Sequence, residues 1–131
     1  MTDRELMDLA MEAAKQAYVP YSHFPVGAAL ECADGTVYTG CNVENAAYGS
    51  TICAERTAAV KAVSQGHKSF RRIAIWGNSK SYCWPCGACR QFLSEFSDEL
   101  EIVCLNARRE VAHTTLGELL PHSFSKENLK K

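Results

Sequence analysis

Apolar residues near the N-terminus recur at helical spacing: Leu6, Leu9, Ala10, Ala13, Ala14 and Ala17, which places them on one face. Thr2 and Glu5 form a capping box ahead of them. Pro20 bars continuation, so the pattern predicts a helix ending near Tyr18. Val26 to Cys32 reads as a strand, and the turn at Ala33-Asp-Gly35 returns the chain into a second strand, Val37 to Cys41, giving a hairpin. Asn42 to Thr51, rich in Asn, Gly and Ser, is a loop. Cys53 to Val63 is helical and is stopped by Gly66. Arg72 to Trp76 is a short buried strand with a turn at Gly77-Asn78-Ser79.

Pro85 suits the first position of another helix, which runs through Phe92, Leu93 and Phe96. Leu100 to Leu105 is a strand, Val111 to His113 a weaker one, and Thr115 to Leu120 a short helix. The order α-β-β-α-β-α-β-β-α indicates an α/β layer sandwich. Its sheet is mixed, because a hairpin opens it and helical crossovers continue it.

Length and charge narrow the picture. The 131 residues fit one domain, 1–131, without repeats or linkers. Fourteen basic against fifteen acidic side chains leave a net charge of −1. The only basic block is the closing Lys126–Lys131 tail. That balance disfavours nucleic acid, whose binding rests on phosphate neutralisation, and favours a small, nearly neutral ligand. No apolar run approaches the ~18 residues of a membrane helix, and the acidic N-terminus does not read as a signal peptide. The expectation is a soluble cytoplasmic protein. Seven cysteines in a reducing compartment are metal ligands, redox groups or small core residues rather than a disulfide framework.

Chemistry concentrates in Cys53-Ala54-Glu55 and Pro85-Cys86-Gly87-Ala88-Cys89. Cys86 and Cys89, three apart in the first turn of a helix, project from nearly one face and can meet one tetrahedral zinc ion. Cys53 also stands at a helix start, where unpaired N–H groups and the dipole favour thiolate. Three protein ligands leave a fourth position open, as in a catalytic zinc site. A Cys-x-x-Cys alone also fits a redox pair, half a structural site or two core cysteines. The upstream Cys53-x-Glu55 turns the set into the zinc-deaminase pattern in its three-cysteine form.

Glu55 is out of helical phase with Cys53 as a ligand and reads as a proton shuttle. Three thiolates and one Zn²⁺ sum to a single negative charge, so a cation donating to the sulfurs would restore Lewis acidity. Arg56 and Arg90 are the nearby candidates, Arg56 the better one. Cys83 precedes Pro85, outside the helix face of the other two, and reads as a bystander. Cys32, Cys41 and Cys104 read as core. The histidines show no ligand spacing. Phe24 is either core or an aromatic platform for a base.

Over nearly its whole length the chain resembles the small cytidine deaminases of pyrimidine salvage. The matching stretches are Tyr21-Ser-His-Phe-Pro-Val-Gly-Ala-Ala-Leu30, Gly40-Cys-Asn-Val-Glu-Asn-Ala-Ala-Tyr48, Cys53-Ala-Glu-Arg-Thr-Ala58, Pro85-Cys-Gly-Ala-Cys-Arg-Gln91 and Glu118-Leu-Leu-Pro121. The resemblance implies a three-layer α/β/α sandwich around a five-stranded mixed sheet, and a homotetramer with active sites at subunit interfaces. It implies one zinc per chain on Cys53, Cys86 and Cys89, with Glu55 as the catalytic proton shuttle. Zinc-bound hydroxide would attack C4 of cytidine or deoxycytidine to give uridine or deoxyuridine and ammonia.

For the substrate, the resemblance implies Phe24 on the pyrimidine, Asn42 and Glu44 on the ribose hydroxyls, and backbone near Ala54 reading the base. Tyr48 and Phe124 would reach a neighbouring subunit's site, and Arg56 would hydrogen-bond the ligand sulfurs. Trp84 stands where the family usually carries a small residue such as Ser.

Overall fold

Every residue of β1 (Val26–Cys32) is buried, as a strand covered on both faces must be. It pairs antiparallel with β2 (Val37–Cys41) on one side and with β3 (Phe70–Gly77) on the other. β3 pairs in parallel with β4 (Glu101–Leu105), which carries β5 (Val111–Thr115) antiparallel at the far edge. The sheet therefore has five strands in the order β2-β1-β3-β4-β5. These coordinates are a computed structural model describing residues 1–129; Lys130 and Lys131 of the basic tail lie outside the described residues.

Alternation along the strands sends side chains to two separate layers. On one face Ala29, Ala74, Val103 and Leu105 pack under Leu6 and Ala10 of α1 (Asp3–Ala14). On the other, Ala28, Leu30, Ile73, Ile75 and Ile102 meet three helices. These are α2 (Ala54–Ser64), α3 (Gly87–Ser94) and the single turn α4 (Leu116–Leu119). The result is an α/β layer sandwich, as the order of elements indicates, with the three layers that the family resemblance implies.

The register places the functional edge. Val26 lies beside Gly77, and Gly27 beside Cys41, so β1 begins where β2 and β3 end. β4 ends at the same edge, with Leu105 beside Trp76. The chain leaves β2 and β3 there and enters α2 and α3, so both helices point their N-termini at this edge. Ligands in open α/β sheets bind at such an edge, beyond the carboxyl ends of strands.

Several boundaries differ from expectation. α1 stops at Ala14 rather than near Tyr18, because Tyr18 pairs with Val43. Its N–H donates to the Asn42 carbonyl at 3.0 Å, and its carbonyl accepts from the Glu44 N–H at 2.8 Å. A long-range bridge thus outcompetes another helical turn. α3 opens at Gly87, not at Pro85; Pro85 precedes the cap, and its carbonyl accepts from Arg90 Nε at 2.7 Å. Phe96 falls beyond α3, where its ring packs against Phe70 with centroids 4.8 Å apart. The weak strand at Val111 extends through Thr115.

A buried ion pair braces this frame. Glu31 is 2% exposed and accepts from Arg72 Nε at 2.9 Å. The same guanidinium binds the Asp3 carboxylate and the Met1 carbonyl, fastening the N-terminus to β3. Arg72→Leu would leave Glu31 as a nearly unpaired buried charge, which costs about 3–5 kcal/mol. The expected result is a lower urea midpoint with an unchanged m-value.

Candidate metal centre and active site

Helix α2 sits unusually close to the sheet. A Cβ on Gly40 would lie 2.5 Å from both the Ala54 carbonyl oxygen and the Ala58 nitrogen. Only the absence of a side chain there lets the first turn of α2 rest on β2. Cys53 caps that turn in an extended conformation, and Cys86 caps α3 in the same way. Neither sulfur caps its own helix, which leaves both free to face the space between the helix ends. Cys89, fully buried one turn into α3, completes the set.

The three Sγ atoms all lie within 4.8 Å of one another, and Cys53 and Cys86 are 3.7 Å apart. A tetrahedral zinc site with ~2.3 Å Zn–S bonds has sulfur–sulfur edges of about 3.8 Å. The donor set therefore fits zinc. A hydrogen bond from Cys89, helped by Arg56, pulls the Cys53 thiol down to about 5. The same shared proton, together with burial, pushes Cys89 upward. Crowded sulfurs of this kind are relieved by a dication.

Arg56 lies where the charge argument asks for a cation. Its Nη2 donates to Cys53 Sγ at 3.5 Å and to the Thr51 carbonyl at 3.1 Å. Arg90 does something else: besides Pro85 it holds the Leu119 carbonyl through Nη1 at 2.9 Å, tying α3 to α4. Among the described residues one other potential ligand trio exists, Asp3, Glu101 and His113. There Arg72 already occupies the Asp3 carboxylate.

Glu55 is 4% exposed and lines a cleft of about 180 Å³ with Asn42, Thr51, Cys53, Trp84 and Cys86. Burial, reinforced by the neighbouring Cys53 thiolate, lifts its carboxyl to about 7. Such a group both accepts and returns a proton near neutrality. Cys83 also lines the cleft but is outside the sulfur trio, and burial pushes its thiol up to about 11. Its side chain and Phe24 close over the end of β3. A Cβ on Gly77 would lie 2.9 Å from Cys83 Cβ and 3.0 Å from Phe24 Cζ.

A wider cavity of about 410 Å³ adjoins, lined by Tyr21, Ser22, Glu44, Tyr48 and Thr51. Thr51 borders both spaces. Glu44 Oε1 accepts from the Tyr21 and Ser22 N–H groups at 3.0 and 3.1 Å. Hydrogen bonding from Ser22 holds its carboxyl below the usual range.

Asn42 arrives with both amide functions in use. Its oxygen accepts from the Val26 N–H and its nitrogen donates to the Phe24 carbonyl, both at 2.9 Å. One lone pair and one N–H remain for a ligand. Ala54 contributes buried backbone to the cleft wall. Tyr48, 75% exposed, stacks edge-on to Tyr21. Phe124, 60% exposed, lines neither cavity; its carbonyl accepts from Gln91 Nε2 at 2.6 Å. No motif marks Thr51, whose position depends on the bridge between Val43 and Ile52.

The family described as the cytidine and deoxycytidylate deaminase zinc-binding region matches residues 1–105. That span contains all three sulfurs. A cytidine deaminase of Sporosarcina psychrophila is 48% identical over 130 residues, 98% of this chain and 96% of that protein. A probable cytidine deaminase of Dictyostelium discoideum is 49% identical over 124 residues, covering 94% and 84%. The chain belongs to the cytidine deaminase family.

Its backbone agrees with this family's solved structures. The crystal structure of cytidine deaminase from Burkholderia pseudomallei superposes with a TM-score of 0.92 at 46% identity, covering 95% of this chain and 100% of that one. That from Mycobacterium tuberculosis gives 0.82 at 43% identity, covering 95% and 98%. Zinc is accordingly the metal of this donor set.

Metal analysis checks the assignment of sulfurs. Cys86→Ser should lose zinc, whereas Cys83→Ser should keep about one ion per chain. Arg56→Gln should weaken zinc affinity about 10–100-fold, the usual cost of losing an outer partner of a metal ligand. Arg90→Gln should weaken it far less, as read by competition with a chelator.

Proposed function

We propose that this chain catalyses hydrolytic deamination of cytidine and deoxycytidine, giving uridine or deoxyuridine and ammonia. The observation that carries the reading is a buried carboxyl, Glu55, lining one cleft beside three clustered sulfurs. Zinc held by Cys53, Cys86 and Cys89 supplies Lewis acidity that makes a water molecule nucleophilic toward C4. Glu55 takes the proton from that water and delivers it to N3 of the pyrimidine. A second proton passes through Glu55 to the amine, which leaves C4 as ammonia while the carbonyl of uracil remains.

The two adjoining cavities suit the two halves of a nucleoside. The pyrimidine occupies the smaller cleft, with Phe24 packed on the ring and the backbone near Ala54 reading its polar edge. The sugar extends past Thr51 into the wider space, where Glu44 takes its hydroxyls and Asn42 adds its spare hydrogen-bonding capacity. Anchoring the sugar orients C4 at the metal. The net charge of −1 agrees with a substrate that carries no phosphate.

The active assembly is a homotetramer in this reading. Tyr18, Tyr21, Val43, Tyr48 and Ile52 form exposed apolar surface around the mouth of the site, of the kind that marks an interface. Tyr48 and Phe124 would then complete a neighbouring subunit's site. No helix among the described residues is long and apolar enough to cross a membrane. The seven unpaired cysteines suit a reducing, cytoplasmic setting.

Glu55→Gln tests the central role. It should retain zinc and lose turnover by about 10²–10⁴-fold, the range for removing a general acid–base group. The loss of cytidine absorbance and the metal content report the two quantities separately. Unaltered turnover would contradict the assignment.

A further inference from the structure

Trp84 is a large apolar side chain left 40% exposed, yet it lines the small cleft with Glu55, Cys83 and Cys86. Its backbone is held on both sides. The Cys83 carbonyl accepts from Cys104 Sγ at 3.3 Å, and the Pro85 carbonyl accepts from Arg90 Nε at 2.7 Å. Pro85 itself is fully buried. The indole also rests against the Tyr82 ring, with centroids 5.9 Å apart. A broad, supported surface thus stands at the sulfur-bearing end of the cleft.

The proposed chemistry fixes what this surface faces. Glu55, on the α2 side, serves N3 of the pyrimidine. The adjacent edge, carrying the C4 nitrogen, then turns toward the strap from Cys83 to Cys86. Resting on that reading, we infer that Trp84 is a specificity-determining wall that limits the size of the substituent on the exocyclic C4 nitrogen. Unsubstituted cytidine fits, whereas an alkyl group on that nitrogen meets the indole. Trp84 takes no part in proton transfer, so its truncation changes selectivity without removing the reaction.

The test is the ratio of kcat/KM for N4-methylcytidine to that for cytidine. Trp84→Ala should raise the ratio at least about tenfold, the scale on which a pocket discriminates one carbon. Trp84→Phe, which keeps an aromatic wall, should raise it less. A ratio unchanged in Trp84→Ala overturns the inference. So does a gain confined to 5-methylcytidine, which would put the indole on the C5 edge. Cytidine turnover by the unaltered enzyme is measured first: its absence refutes the deaminase reading, whereas an unchanged ratio with intact cytidine turnover refutes only the wall.

A binding readout needs no turnover. The chain has two tryptophans, and the other, Trp76, packs on the opposite, α1 face of the sheet. Titration with uridine should change tryptophan emission in the native protein, and the change should disappear in Trp84→Phe. Emission that responds equally in both proteins overturns the placement of Trp84 at the bound base.

Discussion

Three sulfurs gathered within 4.8 Å of one another repel as thiolates, and the surrounding structure is arranged to make that proximity tolerable. Two helix N-termini aim their unpaired N–H groups and positive dipole ends at the cluster. Arg56 adds a full positive charge at hydrogen-bond distance from Cys53. A bound dication would complete the balance. None of these supports works from elsewhere in the fold, so the sheet must bring β2 and β3 to an end at one edge and start both helices there. Gly40 is the steric consequence: α2 must approach β2 closely enough that no side chain fits between them.

The same negative cluster governs Glu55. Burial alone would raise its carboxyl, and the adjacent thiolate raises it further. A bound cation would act in the opposite direction, favouring the ionised carboxylate. The group therefore sits between opposing influences, each strengthened by its burial. Its position as the second residue of α2 fixes it relative to the sulfurs, since all stand at the caps or first turns of packed helices. Proton transfer needs that rigidity more than it needs any single pKa value.

Local chemistry made much of this legible in the sequence. The hairpin β1–β2 has the boundaries its apolar pattern implies, because Asp34-Gly35 supplies the turn and a nearly unbroken run of small and apolar residues marks β1. The zinc ligands were legible because metal geometry dictates side-chain types and spacing. Arg56 followed from charge counting. What escaped were features decided by contacts between distant segments. Tyr18 leaves the helical pattern to pair with Val43, and Pro85 yields the helix start to Gly87 while its carbonyl binds Arg90. Thr51 reaches the junction of the two cavities through backbone pairing that no local motif encodes.

Asn42 illustrates how such contacts change the meaning of a residue already singled out. A role limited to the ribose would leave its amide free, yet the amide clasps the backbone on both sides of Pro25. That clasp sets where Phe24 leaves the entry to β1, and Phe24 in turn closes with Cys83 over Gly77 at the exit of β3. Cys83 begins the strap that carries Trp84 and Cys86. The loop that carries Asn42 and Glu44, the Phe24 ring and the helix that carries Cys86 and Cys89 are thus joined through one continuous set of contacts. Loss of the Asn42 side chain would disturb the cleft as a whole, because the residue supports the backbone that shapes it.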